Sequence, residues 1–327
     1  MNPKQAARHR ELVSLSGAKS DKADARTLAD MIRTRRHQLR PVAADSNECE
    51  AVKVVARAHQ TMIWERTRQT LRLRAVLRDY FPAALAAYAP LTLTGPDALE
   101  LLAEAADPVS AAKLSIARIS AVLKRSRRRD AAAKAAAIRD ALCTEHLGQS
   151  EIVTGAYAAT VRATVAVLQT LNSQIKTLEE QAEAYLGRHP DAEVYLSQPG
   201  LGVITSARVL AEFGDAPGRY TSAKARKNYA GTSPITRQSG KSKTVHARFV
   251  HNDRLVDALH TQALSAARHD AGARAYYDEL RARDISHNAA LRQVGNRLVG
   301  ILHGCLKTHT YYDQATAWSH RYSGLAA

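Results

Sequence analysis

The chain has 327 residues, with 47 Lys and Arg against 31 Asp and Glu, a formal net charge of +16 and a pI near 10.0. That length accommodates about two domains and a sizeable core, and the cationic excess goes beyond what solubility needs, which points to a polyanionic partner. The basic residues are spread along the whole chain and not gathered in one amphipathic anchor, so nucleic acid is expected and a membrane surface is not.

No apolar run approaches the ~20 residues of a membrane span, and the opening residues lack the apolar core of a secretory signal. Cys49, Cys143 and Cys305 are odd in number and form no CxxC pair. They fit a reducing cytoplasm with neither a disulfide framework nor a zinc site. Aromatic residues are only 5% of the chain, so base stacking is not expected to dominate recognition. The absence of a GxxxxGK[ST] phosphate loop excludes the common nucleotide hydrolases.

In chain order, a helix is predicted to begin near Asp24, with Leu28, Met31 and Ile32 as its apolar stripe. Ser20 or Asp21 suits its N-cap, and acids in its first turn suit its dipole. Asp21 and Asp24, three apart, put two carboxylates on one face, which is also the arrangement that can hold Mg²⁺ through oxygen ligands. The charge run from Arg33 to Arg40 reads as a loop or short strand. Ser46 opens a helix that closes at Tyr80-Phe-Pro82, with Arg68/Arg72 and Arg74/Arg78 as a basic flank. A short helix over 97–105 follows.

Residues 109–145 read as one long helix interrupted in composition by Lys124-Arg125-Ser126-Arg127-Arg128-Arg129, a candidate nucleic-acid patch. After Gly148 and Gly155 a second long helix carries Val161, Val165, Leu168, Leu171, Ile175, Leu178, Ala182 and Tyr185 at heptad-like spacing. The two are expected to pack as an antiparallel hairpin. Gly187 and Pro190 mark a domain boundary.

Beyond it, Pro199-Gly200-Leu201-Gly202 between two helices is either a capping turn or a helix-hairpin-helix-like segment whose Gly200 and Gly202 amides receive a DNA phosphate. Residues 222–231 form a short basic helix with a Ser cap and a Gly stop. Then comes Arg237-Gln-Ser239-Gly240-Lys241-Ser-Lys243: a hydroxyl, a residue without a side chain and three cations, a composition that suits a phosphate either bound or attacked. An ordinary turn has the same residues. Helices near 252–268, 271–283 and 286–307 complete the chain.

The order of these motifs resembles the DEDD transposases of the insertion-sequence one-hundred-and-ten family. The residues that carry the resemblance are Ser16-Gly-Ala-Lys-Ser-Asp21-Lys-Ala-Asp24, Leu39-Arg-Pro-Val, Arg57-Ala-His-Gln, Pro199-Gly-Leu-Gly, and the stretch from Tyr229 to Ser242. The resemblance implies a mainly α protein with a small α/β remnant. It implies an RNase H-like (RuvC-like) N-terminal domain over 1–108, a coiled-coil hairpin over 109–190 and a helical C-terminal transposase domain over 191–327. It implies Ser239 as nucleophile, Asp21 and Asp24 as the third and fourth of four Mg²⁺-binding acids, and Arg237, Gly240, Lys241 and Lys243 as nucleic-acid contacts. The implied partners are double-stranded DNA, a structured guide RNA and further copies of the chain (a dimer or tetramer), in the bacterial cytoplasm at the nucleoid. In the family the first Asp and the Glu lie upstream of the Asn-Pro with which this chain opens, so the expectation is a truncated RNase H-like domain and impaired catalysis. The alternative is a non-catalytic DNA- or RNA-binding derivative.

Overall fold

A computed structural model describes residues 3–13, 20–38 and 44–322, which divide into two compact units at 45/46. In the first, α1 (Pro3–Val13) packs on α2 (Asp21–Arg35), which runs into a 3-10 turn over Arg36–Gln38. Ser20 caps α2: its hydroxyl accepts from the Ala23 amide at 3.2 Å, which satisfies one of the amides a helix start leaves open. The expected loop or strand after the helix is therefore still helical through Gln38, and residues 39–43 lie outside the described set. No strand occurs among the described residues of this unit.

The second unit is built on two long helices, α3 (Asn47–Tyr80) and, later, α9 (Glu151–Leu186). Between them come α4 (Pro82–Tyr88), α5 (Pro96–Glu104), α6 (Pro108–Ala112), α7 (Ile116–Arg125) and α8 (Ala131–Leu142). After α9 follow α10 (Ala192–Leu196), α11 (Val203–Phe213), α12 (Ala223–Tyr229), a hairpin of β1 (Ile235–Ser239) and β2 (Ser242–His246), α13 (Asp253–His269), α14 (Ala271–Ala282), α15 (His287–Thr308) and α16 (Gln314–Tyr322).

Helix α3 pairs with α9 antiparallel. His59 meets Glu179 (3.3 Å), Arg66 meets Asn172 (3.2 Å), and Tyr80 stacks on Tyr157 at 5.0 Å. Each end of this spine nucleates a core. Leu73, Leu77 and Tyr80 with Val161, Val165 and Leu168 are covered by α4 to α8. Cys49, Val52 and Ala56 with Ala182 and Leu186 are covered by α10, α11, α13 and α15. A third cluster seats Trp318 of α16 among α13, α14 and α15.

The predicted stripe of α9 is real, with Val161, Val165, Leu168, Ile175 and Ala182 buried, but its long partner is α3. Residues 109–145 are three short helices, not one. Ser115 caps α7 by accepting from the Arg118 amide, and Arg127 and Asp130 are left-handed (φ 53° and 55°). The Ser115 hydroxyl starts a new helix in this way because it offers a local amide another acceptor. Gly155, read as preceding the second long helix, lies inside it. Glu151–Leu186 is also long and apolar enough to cross a membrane by length and composition alone. In this fold its apolar stripe is occupied by α3. All three cysteines are free.

Candidate functional site

Ser239 ends β1, and the hairpin turns through Gly240 and Lys241 into Ser242, its register partner. Gly240 has φ +54°. A positive φ at the first position of a two-residue turn is what the type II′ geometry asks of glycine. A Cβ there would meet nothing within 4 Å, so it is the backbone that demands glycine and not a crowded neighbour.

Side chains alternate across a strand pair, and the register sets which groups share a face. Arg237, Ser239, Ser242 and Thr244 are on one face, and Gln238 and Lys243 are paired on the other. Of the three cations grouped by sequence, Arg237 thus shares the face of Ser239, Lys241 occupies the turn and Lys243 points away. Every hairpin residue from Thr236 to His246 is exposed.

Both feet of the hairpin are anchored. On the way in, Gly231 (φ +73°) lies so close to His251 that a Cβ would come within 2.7 Å of it, and Thr232 donates to Asn296 of α15 at 3.0 Å. Arg248 spans the base, reaching the Asn228 side chain at 3.2 Å and the Ser233 carbonyl at 3.4 Å. On the way out, Asn252 caps α13, and its side-chain amide donates to Glu212 at 2.6 Å. Arg57 grips the same carboxylate with two bonds of 2.8 Å. Burial alone would raise the Glu212 pKa. The hydrogen bonds from Arg57 and Asn252 outweigh it and hold the carboxyl below its usual range. The hairpin is a projecting arm on a rigid mount.

In the first unit Asp21 is exposed and Asp24 half-buried, both in the first turn of α2. Arg10 of α1 takes the Asp24 carboxylate at 2.5 Å, and His9 takes Asp30 at 3.0 Å. One of the two candidate metal ligands is therefore already neutralised by a guanidinium. As they stand, Asp21 and Asp24 do not make a fitting Mg²⁺ site by themselves, since a hard dication needs several uncommitted oxygens.

Gly200 has φ +77°, and a Cβ on it would lie 2.3 Å from the Gln262 carbonyl oxygen of α13. Glycine is required there by helix packing. Gly202, exposed and open, is the N-cap of α11. In the run from Lys124 to Arg129 the fold divides the cations. Arg128 binds the fully buried Asp97 at 2.7 Å and the Leu91 carbonyl at 2.8 Å, and Arg125 pairs with Glu100. Lys124, Arg127 and Arg129 remain exposed. Sequence reasoning passed over Arg226, whose guanidinium lies over the rings of Phe213 and Tyr220. The available signal was local: Phe213, Tyr220 and Tyr229 cluster in a chain otherwise poor in aromatics.

Comparison with known proteins defines first the class. A profile of DEDD transposases described as "Transposase" matches residues 1–82, and one described as "Transposase IS116/IS110/IS902 family" matches residues 192–278. The chain is 40% identical over 322 residues to the mini-circle putative transposase for IS117 of Streptomyces coelicolor, covering 98% of this chain and 78% of that one. It is 30% identical to an IS110 protein of the same organism, over 90% of this chain and 72% of that one. It is also 30% identical to an IS900 protein of Mycobacterium paratuberculosis, over 91% and 74%. The chain belongs to the IS110 family of transposases. Membership makes it an enzyme by family, acting on DNA, and implies a divalent metal.

Proposed function

We propose that the chain cuts and rejoins DNA with Ser239 as nucleophile. The observation that carries this is the exposed hairpin: a hydroxyl held beside a two-residue turn, with Arg237 on its own face and no described residue covering it. A two-stranded hairpin is marginal in water by itself, so an arm of this kind, polar and basic along its length, is suited to being completed by a partner. A phosphodiester laid on that face puts its phosphorus before the Ser239 oxygen. Attack forms a serine–phosphate ester and breaks the bond to a deoxyribose oxygen, and the serine proton, relayed through water, ends on that oxygen as it leaves as a hydroxyl. The reverse attack by a sugar hydroxyl restores a phosphodiester. The ester keeps the bond for rejoining, so no nucleotide hydrolysis is needed. Arg237, with Lys241 at the turn, offsets charge that develops on the phosphoryl oxygens.

A structured guide RNA is proposed from the resemblance and agrees with the net charge of +16. Further copies of the chain are proposed from the exposed apolar residues of the spine, Val54 and Leu71 on α3 and Val167 on α9. The place of action is the compartment that holds the DNA, the bacterial cytoplasm. Mg²⁺ is proposed from the family, with any site completed by groups other than Asp21 and Asp24 alone.

A second reading, a nucleic-acid-binding derivative without catalysis, is favoured by the Arg10–Asp24 pair. One assay separates the two. With duplex DNA carrying the ends of the element, Mg²⁺ and cognate RNA, the wild-type chain is expected to form a covalent protein–DNA adduct on a denaturing gel. Ser239→Ala is expected to abolish the adduct and leave DNA binding unchanged. An adduct that persists in Ser239→Ala rejects the serine, and no wild-type adduct leaves only the binding reading.

A further inference from the structure

A cavity of about 380 Å³ opens between the 214–222 loop and the C-terminal turns of α15. Its floor is Arg226 of α12, which is only 9% exposed. The guanidinium carbon lies 4.5 Å from the ring centre of Tyr220 and 5.0 Å from that of Phe213, and the guanidinium donates to the Tyr195 hydroxyl oxygen. Its Nε and Nη1 are buried with no hydrogen-bond partner, and the Nδ1 of His303 in the same wall is also without one. Lys307, one turn further along α15, lines the opening.

Arg226 makes no ion pair among the described residues. The two carboxylates on the cavity wall are committed elsewhere: Asp215 accepts from the Ser46 amide at 2.9 Å and meets His189 at 3.3 Å, and Asp191 meets His309 at 3.3 Å. A buried guanidinium with two unsatisfied nitrogens is costly to fold. An oxyanion in the cavity supplies the counter-charge that this guanidinium, held in place by the aromatic rings, otherwise lacks, and guanidinium is the group best matched to phosphate.

We infer that this cavity binds a phosphate oxyanion, with Arg226 as its buried anchor and Lys307 at its mouth. The inference rests on the DNA-handling reading in taking a nucleic-acid strand as the natural source, and inorganic phosphate offers the same chemistry. It lies apart from the Ser239 hairpin in the chain and needs no chemistry there.

The test uses the full chain carrying Ser239→Ala, so that no strand is cut. Thermal unfolding is followed in phosphate and in chloride at equal ionic strength, then with a 12-nucleotide DNA strand with and without a 5′-phosphate. Phosphate at about ten times its dissociation constant is expected to raise Tm by about 3 °C. Arg226→Met, which keeps an apolar chain against the two rings, is expected to lose that increment, and Lys307→Gln, an exposed change that leaves the core intact, to reduce it. Stabilisation by the unphosphorylated strand assigns the site to a strand interior, by the 5′-phosphorylated strand alone to a strand end, and by inorganic phosphate alone to the free ion. Each supports a phosphate site provided Arg226→Met removes it. The inference is overturned if wild type responds to none of the three, if Arg226→Met and Lys307→Gln keep the full increment, or if poly-glutamate stabilises equally well. A phosphate increment together with no covalent adduct in the Ser239 assay would reject the catalytic reading and leave this one standing.

Discussion

Residues 124–129 and 237–243 are both dense in cations, and as sequence either could be a nucleic-acid contact. The fold uses them differently. In the first, Arg128 is drawn inward to the fully buried Asp97 and Arg125 is tied to Glu100 across α5 and α7. In the second, Arg237, Lys241 and Lys243 stand exposed on a hairpin and pair with no acid among the described residues. Charge density in a sequence counts cations, whereas the potential available to a partner depends on which of them an internal carboxylate has already neutralised.

That contrast can be broken at several points. Arg128→Ala leaves the Asp97 carboxylate buried without its cation and is expected to cost about 3 kcal/mol, read as a lower urea midpoint. An unchanged midpoint would mean that Arg128 is not structural. The Arg57–Glu212 pair sharpens the same point through pH. The folded pKa of Glu212 lies below its usual value, so its contribution to stability is fully present above about pH 4.3, the unfolded value, and is lost as pH falls through the folded one. Arg57→Met is expected to make the decline in stability below about pH 4.5 shallower.

Arg125→Gln removes a half-exposed pair and is expected to cost under about 1 kcal/mol. Smallest in stability should be the combined Arg237→Gln, Lys241→Gln and Lys243→Gln change, within about 0.5 kcal/mol per site in the same urea experiment. Its effect is expected in binding: the slope of log K against log salt for duplex DNA should fall by about 2 to 3. An unchanged salt slope would mean that these three cations do not contact the DNA backbone.

The legible parts of the chain were those written locally. Ser20 and Ser46 announce helix starts because a hydroxyl there satisfies a free amide within three residues, and both serve as caps. The helices after the hairpin were visible from periodicity, and α13 to α15 lie within a few residues of expectation. The reading of 109–145 as one helix failed on a signal present in the sequence, the Ser115 cap and the Arg127–Asp130 turn, which an Ala-rich composition outweighed. At the candidate site the Ser-Gly pair and its cations were visible, but the hairpin and the face each side chain takes were not.

Sequence by itself determined the chain's basic character, its helical content, its resemblance to a transposase family and the Ser239-Gly240 motif, because each of these is written in composition or in neighbours a few positions apart. Only the tertiary structure decided that α9 pairs with α3, that Arg128 answers Asp97 at 2.7 Å, that Arg10 claims Asp24, and that Arg226 is buried with two nitrogens unanswered. Those outcomes depend on neighbours that only folding brings together, such as Asp97 for Arg128, Asp24 for Arg10, and Phe213 and Tyr220 for Arg226. An ionised group is defined by the neighbour that folding brings to it, and its own position in the chain does not name that neighbour.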